Sequence, residues 1–139
     1  ELGGVCGGIC HNDLGLSDVL NGYPKGEGIL QAVRCLSPDV VICDEVGNLG
    51  DISAIEEGLN AGVAMVASIH AGSLQELRRR KQAQRLLQTG AFSRIALLET
   101  SRTPGKIQGI YKVGEKDVEA DGMSVGDSGG RGGGIFASA

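Results

Sequence analysis

Residues 40–45 read Val-Val-Ile-Cys-Asp-Glu, an apolar run that ends in two adjacent carboxylates, Asp44 and Glu45. Pro38 and Gly47 bound the run, so the pattern predicts a buried strand of a parallel sheet over 39–44. Carboxylates at the C-terminal end of such a strand lie where open α/β sheets place their ligand crevice. This is the Walker B pattern of nucleotide hydrolases. In that chemistry Asp44 holds a Mg²⁺ through its water shell, because Mg²⁺ prefers oxygen ligands and dehydrates reluctantly. Glu45 orients and activates the attacking water. The same six residues also suit a core strand that ends in two solvated acids, and the hexamer alone leaves both readings open.

A second apolar run, Val63-Ala-Met-Val-Ala-Ser-Ile69, ends at His70-Ala-Gly-Ser73 and predicts a second buried strand. One helix separates the two strands, so they are expected to be neighbours or near neighbours. Their C-terminal ends would then bring Asp44–Glu45 and Ser68–His70 to one crevice. A hydroxyl or an imidazole beside the acidic pair is placed to sense a γ-phosphate or to position water. Lys25 stands in a Gly-rich loop, Pro-Lys-Gly-Glu-Gly, and is a candidate for nucleotide or subunit contact. The candidate set is therefore Glu45 and His70 for catalysis, Asp44, Ser68 and Lys25 for the nucleotide, and Asp44 for the metal.

These residues need elements to hold them. A short strand is predicted over 2–9, with the rest of 1–28 as loop. Pro24 is expected as the first residue of a helix, because its fixed φ suits that position. Ile29, Leu30, Val33 and Leu36 carry that helix to Ser37-Pro38, which stops it. Asp51 is expected to cap a helix over 52–60, where Ile52, Ile55 and Leu59 recur on one face and Glu56 and Glu57 point outward. Ser73 and Glu76 form a capping-box pattern for a third helix running to about Gln88. Its basic run, Arg78-Arg-Arg-Lys81, reads as a solvated face rather than a binding patch. A strand over 92–98 and an alternating segment over 106–112, joined through the Thr-Pro-Gly turn at 103–105, suggest a hairpin. After Gly114 the pattern dissolves into Gly, Ser and Asp, too polar to offset the entropy of ordering, so a flexible tail is expected. Strands alternating with helices predict a mostly parallel α/β sheet with antiparallel edge strands.

The chain has 139 residues, 41% of them hydrophobic and 22% charged, which suits one globular domain with a real core. Aromatic residues are only 3%, so that core rests on aliphatic side chains. The net charge of −4 argues against a nucleic-acid surface as the main function. No apolar stretch reaches the length of a membrane helix, and the start lacks the basic region of a signal peptide. Cys6 and Cys10 are close, with His11 beside them, but no second Cys/His pair follows at zinc-site spacing. Cys35 and Cys43 sit in apolar contexts and read as small core residues, with reduced thiols expected.

Three segments occur in order: Val40-Val-Ile-Cys-Asp-Glu-Val-Gly47, Ala54-Ile-Glu-Glu-Gly-Leu-Asn-Ala-Gly62 and Ala67-Ser-Ile-His-Ala-Gly-Ser73. Together they resemble the core of secretion and pilus-retraction ATPases, RecA-like motors with a Walker B strand followed by a His box. A closer resemblance is to the stage III sporulation AA family, ATPases of the channel complex between mother cell and forespore. His11-Asn-Asp-Leu-Gly, Asp18-Val-Leu-Asn-Gly-Tyr-Pro-Lys-Gly-Glu-Gly28, Phe92-Ser-Arg-Ile and Ser101-Arg-Thr-Pro-Gly-Lys-Ile-Gln-Gly-Ile-Tyr111 carry it further, over about residues 2–112. The resemblance implies a RecA-like P-loop core over 1–113 before the tail at 114–139. It implies Mg²⁺ and ATP as ligands, a homo-hexamer in the full-length protein, membrane channel subunits as partners, and a cytoplasmic location at or near the inner face of a membrane. Asp44 would sit on Mg²⁺, Glu45 would be the catalytic carboxylate, and His70 would be the His-box residue.

One departure outweighs the matches. No Gly-x-x-x-x-Gly-Lys-[Ser/Thr] occurs in these residues, so the amides that cradle phosphates and the Lys that reaches them are missing. In the family that loop lies upstream of the Walker B strand. The chain is therefore expected to be the later part of a longer protein, and to hydrolyse ATP poorly or not at all by itself. Two alternatives stay open: a non-catalytic scaffold for subunit contact, and a type II or type IV secretion or pilus motor without a link to sporulation.

Overall fold

The structure is a computed structural model that describes residues 5–6, 9–10, 12–99, 106–113, 118–124 and 132–138. Two short strands, β1 (Val5–Cys6) and β2 (Ile9–Cys10), pair antiparallel where one strand over 2–9 was expected. Residues 1–4, 7, 8 and 11, with the first part of that expectation and His11, lie outside the described residues.

Helix α1 (Lys25–Gln31) begins one residue later than expected. Pro24 is its N-cap, with an extended ψ of 136°, and not its first helical residue. The helix continues as a π-helical turn over Ala32–Leu36 and stops at Ser37, which sits in the left-handed region at φ 49°. Cys35 falls in that turn and is exposed, which corrects its reading as a core residue; its thiol faces Gln31 Oε1 at 3.5 Å.

β3 (Val40–Cys43) leads through a turn to α2 (Leu49–Asn60), and α2 leads to β4 (Ala64–Ala71). The cap of α2 is Asn48, not Asp51. Asn48 Oδ1 accepts from the Asp51 N–H at 2.9 Å, and the Asp51 carboxylate accepts in return from the Asn48 N–H at 3.4 Å. The helix thus starts one turn earlier than its apolar periodicity, which hides the exposed Leu49 and Gly50. Ile52 and Ile55 are fully buried, while Glu57 faces solvent and Glu56 is half-buried.

The third helix is two. α3 (Leu74–Arg79) and α4 (Lys81–Gln88) are separated by Arg80, whose backbone is extended at φ −74°, ψ 126°. Ser73 caps α3 by accepting from the Glu76 N–H at 3.1 Å, and the Glu76 carboxylate reaches back to the N–H of Gly72 at 2.7 Å. Arg78, Arg79, Arg80 and Lys81 are all exposed, and Arg80 pairs with Glu76 one turn back. Arg85 on α4 clasps Glu56 on α2 with two nitrogens at 2.7 Å each, which lowers the Glu56 pKa through the hydrogen bond and charge of Arg85.

β5 (Phe92–Leu98) pairs antiparallel with β6 (Ile107–Val113), as the alternating pattern suggested; the turn at 103–105 lies outside the described residues. β7 (Val118–Ser124) and β8 (Gly132–Ser138) complete a six-stranded sheet in the order β3-β4-β8-β5-β6-β7. Both fall in the stretch expected to be a flexible tail, and residues 114–117, 125–131 and 139 lie outside the described residues. Only β3 and β4 pair in parallel; every other pairing in this sheet is antiparallel. The fold class is α/β, but the sheet is mixed and not mostly parallel. The physical reason is β8, which lies between β4 and β5 and pairs antiparallel with both.

The core lies on one face of the sheet. Period-two alternation puts Met65, Ala67, Ile69 and Ala71 of β4 on that face, under Ile52 and Ile55 of α2, Ile29 of α1 and Leu86 of α4. Cys43 belongs to it, and burial pushes its thiol pKa up to about 12. Peptide mapping after brief alkylation at pH 8 should therefore find Cys35 labelled and Cys43 unlabelled until the chain is unfolded. A thiol that ionises near 9.0 when unfolded and near 12 when folded holds its proton more tightly in the native state. Stability must then fall as pH rises above the unfolded value. Cys43→Ala should flatten that alkaline slope in denaturant titrations; an unchanged slope would place the thiol in water.

Candidate functional site

The parallel register of β3 and β4 fixes the site. Val40 faces Ala64, Ile42 faces Val66, and Cys43 faces Ala67. One step further the same register sets Asp44 beside Ser68. Because side chains alternate, both project from the face opposite the core, where Val40 and Ile42 are 49% and 60% exposed.

Ser68 joins the two acids. Its hydroxyl donates to Asp44 Oδ1 at 3.1 Å and accepts from the Glu45 N–H at 2.9 Å, while its carbonyl accepts from the Val46 N–H at 2.8 Å. Glu45 is one of two described non-glycine residues with positive φ, at 53°. This conformation is costly for a side-chain-bearing residue and persists only where its surroundings hold it. Three groups do so here: Ser68 holds its N–H, the Lys25 ammonium donates to its carbonyl oxygen, and the next residue, Val46, is buried in the core. The left-handed turn breaks the strand after Asp44 and leaves the Glu45 side chain 72% exposed. His70 Nε2 lies 3.9 Å from Glu45 Oε1, and both side chains are largely in water, so the pairing is weak.

The structure thus brings four of the five candidates, Asp44, Glu45, Ser68 and His70, to the C-terminal ends of two adjacent parallel strands. Lys25 reaches the same place from the start of α1, but its ammonium rests on the main chain of Glu45. A cleft of about 660 Å³ opens between the first turns of α1 and α2, lined by Lys25, Glu45, Gly47, Asn48 and Asp51 among others. Asp44, Ser68 and His70 are not in its lining, so the cleft and the strand-end cluster meet only at Glu45.

Two further residues support the site: Asp51, expected only as a helix cap, and Gln82, to which the sequence assigned no role. Asp51 is 4% exposed, and its carboxylate accepts from the N–H groups of Gly47 and Asn48, pinning the turn that follows Glu45. The Asn48-x-x-Asp51 spacing ahead of an apolar helix was the available signal. Gln82 on α4 donates to the carbonyl of Gly47 at 3.3 Å, and nothing in its sequence context announces this.

The cluster offers two carboxylates and a hydroxyl as oxygen donors, with the His70 imidazole 3.9 Å from Glu45. Among the described residues no group of three or more His, Cys, Asp or Glu forms a metal cage. One carboxylate backed by a hydroxyl suits Mg²⁺, which keeps most of its waters and completes its shell with substrate phosphates. Ser68→Ala removes the acceptor of the Glu45 N–H and a donor to Asp44. It should cost about 1 kcal/mol and speed amide exchange at 45–47 well beyond that of β4 itself, as read by hydrogen-exchange mass spectrometry.

Residues 1–118 match the family described as Sporulation stage III, protein AA. A stage III sporulation protein AA of Bacillus subtilis (strain 168) is 38% identical over 112 residues, covering 80% of this chain and 36% of the relative. The chain therefore spans about a third of the length of that curated relative. No solved structure matches it. Among the described residues no helix is long and apolar enough to cross a membrane. The order of the acidic strand end, the α2 crossover and the His70 turn, together with these matches, shows that the chain belongs to the Sporulation stage III, protein AA family.

Proposed function

We propose that this segment is the metal- and water-positioning half of a RecA-like ATPase that serves a secretion channel in sporulation. The observation that carries this reading is Ser68. A single hydroxyl bridges Asp44 to the backbone of Glu45 at the ends of two parallel strands, which supports a reading with one acid held as a metal anchor and the other facing outward. Mg²⁺ bound there would neutralise charge on the phosphates. Asp44 would hold it through water, Glu45 would orient the attacking water, and His70 would stand beside Glu45 to read the state of the γ-phosphate. Lys25 would act through the Glu45 main chain. The phosphate loop, hexamer formation and contact with membrane channel subunits, at the inner face of a membrane, would belong to the full-length protein.

A second reading has one observation in its favour. Parallel strands are normally covered on both faces, yet Val40 and Ile42 are exposed on the face that bears Asp44. That face suits packing against another element or subunit, as a non-catalytic scaffold would need.

Phosphate release separates the two. A hybrid that joins this chain to the rest of the Bacillus subtilis relative should hydrolyse ATP in a Mg²⁺-dependent way, while the chain alone should release phosphate no faster than buffer. A folded hybrid without Mg²⁺-dependent turnover sinks the ATPase reading. Brisk, Glu45-dependent turnover by the chain alone sinks the division of labour.

A further inference from the structure

Glu45 and His70 stand where two adjacent strands end, and their side chains meet only in a weak, water-exposed contact at 3.9 Å. The same two turns are also joined the long way round, through α3 and α4. The N–H of Gly72, two residues past His70, donates to Glu76 Oε2 at 2.7 Å. The other oxygen of that carboxylate accepts from Arg80 Nη2 at 2.8 Å. Arg80 is the extended residue between α3 and α4, and its carbonyl accepts from the Gln84 N–H at 2.9 Å, so it is tied into the first turn of α4. Two residues on, Gln82 Nε2 donates to the Gly47 carbonyl at 3.3 Å. Gly47 lies in the turn after Glu45, and Ser68 of β4 closes the path by holding the Glu45 N–H. Main chain and hydrogen bonds thus form a closed ring, with Glu45 on one arc and His70 on the other.

Two features hold the ring in shape. The break at Arg80 is stitched from the far side as well, because Gln84 Nε2 donates to the Arg78 carbonyl at 2.8 Å and ends α3 there. Gly72 is the second. Its backbone lies outside the left-handed region, so conformation does not call for glycine. Close approach does: a Cβ at this position would lie 2.7 Å from Glu76 Oε2 and would displace the carboxylate from the N–H.

We propose that Glu76, Arg80 and Gln82 are positioning residues that couple the His70 turn to the Glu45 turn, so that the two open and close as one unit. Each acts through the main chain of a turn. A displacement at His70 then reaches the backbone of Glu45 through this ring, although the direct contact of the two side chains is weak. The Glu76–Arg80 link lies at the surface, with the two side chains 46% and 44% exposed, so dissolved ions screen it and the coupling falls as salt rises. The use of this coupling in catalysis rests on the ATPase reading above. The coupling itself needs no nucleotide, and phosphate release by the hybrid decides that reading separately.

Single-residue amide exchange, measured by NMR on the full chain, tests it at 45–48 and at Gly72, with 92–98 as the reference. Gly72→Ala and Glu76→Gln alter nothing within 45–48, yet each should speed exchange there by about threefold to tenfold, the scale of one lost hydrogen bond in a local opening. Gln82→Glu keeps the shape but loses the donor, and should speed exchange at Gly72 to a similar degree. Gln82→Lys keeps a donor and should return both turns to within about twofold of the parent. The double variant Glu76→Gln with Gln82→Glu should exchange no faster than the faster single one, because one break already opens the ring. Salt at about 1 M should speed both turns in the parent and leave Glu76→Gln unchanged. Exchange that rises only beside the substituted residue overturns the proposal. So does a rise shared equally by 92–98, which would be a loss of stability of the whole chain. Single effects that add in the double variant, or a Gln82→Lys chain as fast as Gln82→Glu, overturn it too.

Discussion

Glu45→Gln in the hybrid protein is expected to cut turnover by about 10²–10⁴-fold, the range for losing a positioned general base. The substitution is nearly isosteric. The contacts that hold residue 45 in its left-handed turn, from Ser68 to its N–H and from Lys25 to its carbonyl oxygen, are made by the main chain and survive the change. What is lost is the carboxylate, so the fall belongs in kcat, with Mg²⁺·ATP affinity within about twofold of the parent. Asp44→Asn should behave differently, by raising the Mg²⁺ concentration needed for half-maximal rate. Steady-state phosphate release across a Mg²⁺ series, with nucleotide binding measured by a fluorescent analogue, separates the two variants. If Glu45→Gln leaves the rate intact, the acidic pair is a solvated strand end, and the exposed face of Val40 and Ile42 makes the scaffold the better reading.

The site was legible in the sequence because it rests on the shortest inference available. Two apolar runs separated by a single helix were expected to be neighbours or near neighbours, and the parallel register that forms sets Asp44 beside Ser68. The errors lie where long-range contacts override local pattern. Asn48 takes the cap because Asp51, one turn in, is needed to hold the N–H groups of Gly47 and Asn48; apolar periodicity alone starts the helix too late. Arg80 breaks the third helix although its neighbours are good helix formers, and the break lets Gln82 on α4 reach the Gly47 carbonyl. Cys35 looked apolar by its neighbours but lies in a π-helical turn that faces it outward. β8 was invisible for a different reason: a glycine run carries no periodicity, and its pairing depends on partners some 40 and 65 residues away.

Ile55→Ala should cost about 2–5 kcal/mol, the span for truncating a fully buried aliphatic side chain that leaves a cavity behind. Against a total stability of about 5–15 kcal/mol, this is a large fraction of what keeps the chain folded. Leu49→Ala, six residues earlier on the same helix but 60% exposed, should change stability by less than about 0.5 kcal/mol. The contrast follows from geometry. α2 is the crossover between β3 and β4, and Ile52 and Ile55 are the side chains by which it sits on Met65 and Ala67. The ion pairs that also grip it, Arg85 with Glu56 and Arg34 with Glu57, lie at the surface and add little. Since the capped start of α2 holds the turn after Glu45, loosening the helix should release the site together with the core. In urea titrations of the alanine variant, exchange at 45–47 and at 64–71 should therefore rise in step. A loss below 1 kcal/mol, or a turn at 45–47 that stays protected while α2 opens, would mean that Ser68 and Lys25 hold the acidic strand end without the helix.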